Sequence, residues 1–440
     1  VHANRPALAP GGLPLLGHLP ALLSRPLAFL DTLPAHGDLV RIRVGPREMY
    51  VASGPEAVRR VLTDRTGYDR TGPLYGKIRA FLGNGLASCP HADHPRLRRI
   101  VQPAFRPGLL PHYAGAMTAE TAALLAGWRP GRAVDVTREA FRLTTAVAVR
   151  TLFSAGLEPP AAEALRAALD VLLRGIYLRV VLPAADLLPT PARRNYRRAL
   201  ATWRSGVAAI IADHRARGID RGDVLALLLA ARDEHGRPLA EDELADQVAT
   251  LVLAGAETTS SALAWSLRLV AEHPEVERKL HAEVDAVLPD GRPAEWSDLP
   301  RLPYAARVID EALRLYPPAW AISRTTTRPV ELDGAELPAG ALVVCCLYLL
   351  QRRPELFPRP QEFDPDRFAD GGMPRGGYLP FGFGATKCLG DRFGLAEAVL
   401  ALATVAARWR LRPAAPGPVR PVPRLVLSPG PQPMLPRARR

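Results

Sequence analysis

The chain has 440 residues, 48% of them hydrophobic, which is material for a large core. Its four cysteines, Cys89, Cys345, Cys346 and Cys388, are too few and too irregularly spaced for a disulfide framework, and they fit a reducing compartment. The formal charge of +13 comes mostly from arginine scattered along the chain, with no basic block interleaved with aromatics, which argues against a nucleic-acid-binding arm.

Residues 1–38 are punctuated by proline and glycine and read as an irregular arm on the surface. The start lacks the apolar run of a signal peptide, and no stretch reaches the ~18 apolar residues of a membrane span. It does not begin with Met, which leaves room for a few missing residues; the expectation is a soluble, cytoplasmic protein. LVRIRVGPREMYVAS (Leu39–Ser53) alternates apolar and polar residues around Gly-Pro and predicts a hairpin. From Glu56 to His281 apolar residues recur at three and four spacing, so this region is mostly helical. Within it, HADHPRLRR (His91–Arg99) reads as the basic face of a helix. Cys89, His91 and His94 also suggest zinc, but a fourth ligand is missing nearby.

One helix is predicted from about Glu241 to Glu272, about nine turns long. In its apolar middle lies AGAETT (Ala254–Thr259). Gly255 costs about 1 kcal/mol against alanine, and a buried Glu257 is expensive unless paired. Such local violations mark either function or a Ser/Thr-bent helix with an exposed Glu. DEALRLYPP (Asp310–Pro318) puts Glu311 and Arg314 on one helix face, as an ordinary surface pair would also be placed. Pro329–Leu347 is β-like, with Asp333-Gly334 as a turn, and FDPDRF (Phe363–Phe368) offers Arg367 in a loop. FGFGATKCLG (Phe381–Gly390) sets one cysteine among glycines, as a ligand or as a small buried side chain. A helix follows from about Arg392 to Trp409, then a Pro-rich tail with short strands. The expectation is one mainly α domain spanning residues 1–440, with small β-sheets pairing distant segments.

Taken together, these stretches resemble cytochrome P450, the haem-thiolate monooxygenases, in order and spacing over essentially the whole chain. The family pattern of Phe, two residues, Gly, three residues, Cys, one residue, Gly is met by Phe381, Gly384, Cys388 and Gly390. The resemblance implies a triangular haem-binding domain with haem b (iron protoporphyrin IX) ligated by Cys388. Phe381 would shield the sulfur, and the glycines would let backbone approach it. Glu311, Arg314 and Arg367 match a buried Glu-Arg-Arg network. His94, Arg98 and Arg324 match partners of the haem propionates. Ala254, Gly255, Glu257 and Thr258 match the oxygen-binding motif, with Thr258 hydrogen-bonding oxygen and Glu257 relaying protons. The chain departs from the family at Thr386, where Arg or His is frequent.

The resemblance further implies electrons from a ferredoxin and its NAD(P)H-dependent reductase, since no flavin or iron–sulfur signature is present. Lys387 and Arg392 are candidate docking cations. Leu74, Phe81, Leu82, Leu86, Leu251, Ala254 and Ala319 to Ile322 are expected to line an apolar substrate pocket. GDLVRIRVGP and HADHPRLRRIVQPAF resemble bacterial terpene oxidases, which points to a terpenoid of specialised metabolism. Two other classes stay open: a peroxide-using or C–C-coupling haem enzyme, and a non-catalytic haem sensor.

Overall fold

The computed structural model describes residues 5–153, 159–182, 189–217, 223–233, 235–369, 371, 374 and 376–439. The arm is less irregular than its composition predicts. It holds two short helices, α1 (Leu19–Ser24) and α2 (Pro26–Leu30), and a 3-10 turn at Leu33–His36. Pro20, Pro26 and Pro34 all fall in the first turn of these elements, where a missing N–H costs nothing. The prolines therefore mark starts rather than absence of helix.

The predicted hairpin forms as β1 (Leu39–Val44) and β2 (Arg47–Ala52), with Leu39 opposite Ala52 and Val44 opposite Arg47. The arm is stitched to it: the Ala9 N–H donates to the Arg41 carbonyl (2.8 Å) and the His18 N–H to the Arg43 carbonyl (2.7 Å).

The helical region follows as α3 (Pro55–Thr63), α4 (Pro73–Leu82), α5 (His94–Val101), α6 (Leu110–Ala126) and α7 (Val136–Phe153). It continues with α8 (Pro159–Val181), α9 (Pro191–Arg217), α10 (Val224–Ala230), α11 (Glu241–Glu272), α12 (Pro274–Val287) and α13 (Pro303–Leu315). Two short strands, β3 (Tyr68–Asp69) and β4 (Val134–Asp135), interrupt it. The long helix α11 matches its predicted bounds. Glu241, Asp242 and Glu243 face the positive end of its dipole, and Pro274 stops it at His273.

Gly255 has a packing reason: a Cβ there would stand 3.0 Å from the Ala148 Cβ of α7. One position on, the Thr144 hydroxyl of α7 donates to the Ala256 carbonyl (2.6 Å). The two helices thus lie almost backbone to backbone at mid-length.

Strands β5 (Ala321–Thr326), β6 (Val330–Leu332), β7 (Ala335–Leu337) and β8 (Leu342–Cys346) follow, then the one-turn helix α14 (Leu347–Leu350). The β6–β7 turn holds Asp333 at φ 54° and Gly334 at φ 69°, the left-handed pair that a two-residue hairpin turn requires. The main sheet has the order β1-β2-β8-β5-β3, with β2 and β8 parallel. The paired strands β2 and β8 lie some 300 positions apart in sequence, as the expectation of distant pairing required. Helix α15 (Asp391–Arg408) packs on α6, α11 and α13. The tail supplies β9 (Trp409–Pro413), β10 (Val422–Pro423), β11 (Leu427–Ser428) and β12 (Pro433–Ala438).

Candidate active site

The glycine-rich loop is a tight fold-back. Gly382 (φ 71°) and Gly384 (φ 70°) are left-handed, and the Cys388 N–H donates to the Phe381 carbonyl (2.9 Å). A Cβ on Gly384 would sit 3.1 Å from the Leu62 carbonyl, so this glycine seats the loop on α3 rather than lining a cavity. Gly390 has an ordinary φ, and its Cβ would lie 4.0 Å from the Cys388 sulfur. Burial pushes the Cys388 thiol pKa up; the Gly390 N–H, Lys387 and Arg98 pull it down, and Asp391 pushes it up. The sulfur keeps accessible surface because it faces a cavity.

That cavity has a volume of about 360 Å³. It brings together Cys388, Phe381, Gly390, His94, Arg98, Arg324, Ala254, Gly255 and Thr258, contributed by the cysteine loop, α5, β5 and α11. Leu86, Leu251, Ala319 and Ile322 also line it. Leu74, Phe81 and Leu82 do not. They belong to the main core, where Phe81 meets Trp203 edge-on (6.2 Å). The face of α4 that carries them is buried against α8 and α9.

The cationic part of the cavity is denser than expected. Arg70, which sequence reasoning missed, is buried and lines it. Its guanidinium donates to the Leu86 carbonyl (2.7 Å), and its Nε has no partner. Arg324 is also buried. It donates to the Tyr75 hydroxyl (2.9 Å) and the Thr386 hydroxyl (3.2 Å), and its Nε has no partner. Among the described residues neither arginine has a carboxylate within ion-pair distance. Burial first, then the charges of Arg70 and Arg98, push His94 down to about 3, so it is neutral. Arg98 donates to the Lys387 carbonyl (2.8 Å), tying α5 to the cysteine loop.

On α11 the Thr258 hydroxyl lines the cavity and donates to the Ala254 carbonyl (2.7 Å). Glu257 lies outside the cavity lining and is half-buried. Burial raises its pKa to about 8, Arg424 acting against the rise and Asp170 adding to it. Arg424 itself bonds Asp170 of α8 (3.3 Å).

Glu311 and Arg314 are fully buried, not a surface pair. Arg314 donates to both Glu311 oxygens (2.6 and 2.8 Å) and to the carbonyls of Gln351, Pro360 and Glu362. Arg367 and the Asp364 N–H also reach Glu311 (3.3 and 3.0 Å). A wider open groove over α6 and α7 is lined by self-paired charges such as Arg142–Glu139 (3.0 Å) and Arg150–Glu120 (2.7 Å). It contains none of the expected site residues.

The model of the cytochrome P450 family matches residues 6–435. Cyclooctatin synthase of Streptomyces melanosporofaciens is 46% identical over 99% of this chain and 96% of its own. Cyclooctat-9-en-7-ol 5-monooxygenase of the same organism is 44% identical over 92% and 89%. Pentalenene oxygenase of Streptomyces avermitilis is 41% identical over 94% and 93%. The crystal structure of the cytochrome P450DA heme domain superposes with a TM-score of 0.88 at 27% identity, covering 100% of this chain and 98% of that one.

Proposed function

This chain belongs to the cytochrome P450 family and is a monooxygenase, and from that premise we propose that it inserts one oxygen atom from O2 into a hydrophobic terpenoid, with haem b held by Cys388 and electrons supplied by a ferredoxin. One observation carries the reading: a single cavity joins a thiol, two buried arginines without carboxylates, and a hydroxyl on the long helix. A buried guanidinium with no anion beside it is destabilising. The two propionates of iron protoporphyrin IX are anions of the right charge to relieve Arg70 and Arg324, with His94 and Arg98 beside them. Leu251, Ala254, Gly255, Ile309, Leu313 and Phe381 give apolar walls for a flat macrocycle. The residues present fit the group. Bound there, haem supplies O2 activation and oxidation of a C–H bond, and thiolate ligation favours O–O cleavage.

The chain's own residues do the rest. Cys388 would hold the iron as its thiolate, a form that Lys387 and Arg98 favour against the effect of burial. Thr258 Oγ1, now donating to Ala254, turns into the cavity and holds a water there. The Glu257 carboxyl keeps a proton near neutrality and passes it toward that water from outside the cavity. Glu311, Arg314 and Arg367 fix α13 to the segment that leads into the cysteine loop. The apolar walls bind substrate and exclude water. The terpenoid class is supported by the names of the relatives, which span nearly the whole chain. A ferredoxin with its NAD(P)H-dependent reductase is the electron source in this reading, and Lys387 and Arg392, exposed beside the cysteine loop, are the cations it would meet.

The test is the carbon monoxide difference spectrum of the dithionite-reduced protein, followed by substrate titration. A strongly red-shifted Soret band that Cys388→Ser abolishes is expected, with the ferric band moving on addition of pentalenene-like terpenes. A Soret band indifferent to Cys388→Ser would overturn the ligand assignment. A response to fatty acids and to none of a terpene panel would overturn the substrate class.

A further inference from the structure

The loop Gly83–Ser88, between α4 and α5, is built against the long helix. The Asn84 N–H donates to the Asp246 carboxylate of α11 (2.6 Å). Gly83 stands at φ 64°, and a Cβ on it would collide with that carboxylate. A Cβ on Gly85 would collide with the Thr250 hydroxyl and the Asp246 carbonyl. The Ser88 and Cys89 N–H groups close the loop by donating to the Gly85 carbonyl (2.9 and 2.8 Å). The two glycines thus let backbone lie directly on α11.

Leu86 and Ala87 are the residues of this loop that line the cavity. The polar groups of the Leu86 backbone are held by side chains from elsewhere in the chain. Its N–H donates to Gln247 Oε1 on α11 (3.0 Å). Its carbonyl accepts from the Arg70 guanidinium (2.7 Å) and, at 3.6 Å, from the Cys89 thiol. Gln247 is buried but does not line the cavity, and its Nε2 has no partner among the described residues. A buried amide left half unpaired is destabilising, so the contribution of this residue lies in what its oxygen does. Gln247, Leu251, Ala254 and Thr258 follow at four, three and four spacing, one stripe of α11. The bond to Leu86 therefore ties the loop to the face that carries the Thr258 hydroxyl.

Arg70 joins this loop to the cationic part of the cavity. One nitrogen of its guanidinium is committed to Leu86, while its Nε is unpartnered and the residue lines the cavity. A guanidinium is a planar fork whose donors move together. An anion drawn to Arg70 therefore sets the Leu86 carbonyl as well, and a molecule packed on Leu86 presses back on Arg70.

We infer that Gln247 and Arg70 clamp Leu86 from two sides, so that Gln247 is a positioning residue for the substrate pocket and Arg70 couples that pocket to the haem propionates. The inference rests on the haem placement proposed above. Such coupling is reciprocal: what loosens Leu86 also loosens the cofactor.

The experiment uses the full haem-loaded protein and clotrimazole, a bulky azole that ligates haem iron whatever the natural substrate. Gln247→Met keeps the side-chain length and removes the acceptor; Gln247→Glu keeps an acceptor oxygen. Gln247→Met should weaken clotrimazole binding ~10-fold, read from the ferric Soret shift, and Gln247→Glu by less than ~3-fold. In a Leu86→Ala background Gln247→Met should change the affinity little, because no side chain is left to position. Gln247→Met should also speed haem transfer to a scavenger protein by ~3-fold or more, although Gln247 does not line the cavity. A thiolate-type carbon monoxide band shows that each variant is folded, and Gln247→Leu replaces Gln247→Met if that variant lacks it. Unchanged clotrimazole affinity overturns the proposal, as do additive effects of Gln247→Met and Leu86→Ala, or unchanged haem transfer. The azole keeps the outcome independent of the substrate class. The carbon monoxide band of the unaltered protein, measured first, separates a failed clamp from a failed haem assignment.

Discussion

Thr386 stands where the family pattern frequently places a cation, and its hydroxyl accepts a hydrogen bond from Arg324 (3.2 Å). The missing charge is offset nearby by Arg70, a buried cation on the same cavity. Charge-assisted hydrogen bonds to a buried anion contribute about 1.5–3 kcal/mol each. Arg70→Ala and Arg324→Ala should therefore each speed haem loss to a scavenger protein by ~10- to 100-fold. Thr386→Val removes only a neutral acceptor and should change it by less than ~10-fold. Equal loss in all three would mean the charges do not hold the cofactor. Thr258 gives a second residue-scale prediction. Thr258→Ala should leave substrate binding in place while NADPH oxidation parts from product and hydrogen peroxide appears; unchanged coupling would remove the role assigned to its hydroxyl. That Cys388, His94, Arg98, Arg324 and Thr258 would line one cavity was legible because each sits in a stretch that resembles a family motif. Arg70 was not, because a lone buried arginine before a Gly-Pro turn has no spacing to betray it.

At the scale of elements, α11 and both hairpins were legible, since helical periodicity, an acidic first turn and Asp-Gly are local signals. The lining of the cavity was less so. Periodicity tells that α4 has an inner face, not whether that face meets a cavity or another helix, so Phe81 and Leu82 were misplaced. Composition also hid the arm's helices, because proline reads as a breaker until its position in the first turn is known. On α11 itself, Glu257 carries a pH prediction. Its folded pKa of about 8 lies above the ordinary value of 4.5, mainly through burial. A raised carboxyl pKa contributes stability that is fully present below the unfolded value and is lost as pH rises through the folded one. The stability gap between Glu257→Gln and the unaltered protein should thus shift toward the variant between pH 4.5 and about 8, then level off. The size is on the order of a few kcal/mol. Turnover should fall over the upper part of the same window as the proton leaves, and Glu257→Gln should lose that limb. Urea midpoints for both proteins across the range check the first part. A pH-independent gap would mean that Glu257 is not held protonated by its surroundings.

Across the whole molecule, the buried Glu311–Arg314–Arg367 network fastens α13 to the segment ahead of the cysteine loop, so the core and the candidate ligand loop are one mechanical unit. What the core does not decide is how electrons reach it. The chain carries +13, and a charge of that size attracts acidic partners over roughly a Debye length, ~10 Å at 0.1 M salt. Steering of a ferredoxin must therefore be separated from general attraction. Arg392 is exposed beside the cysteine loop, whereas Lys387 is paired with Asp391 (2.6 Å), which cancels part of its field. Arg392→Glu should slow reduction by an acidic ferredoxin by ~10-fold at low salt, Lys387→Gln should slow it less, and both effects should shrink as salt rises. Arg129→Glu, on the open groove over α6 and α7, makes the same change in net charge far from the thiol side and should slow reduction little. Stopped-flow reduction followed at the Soret band distinguishes the cases. If Arg129→Glu and Arg392→Glu slow reduction equally, net charge alone attracts the donor and the cysteine-side face has no special claim on it.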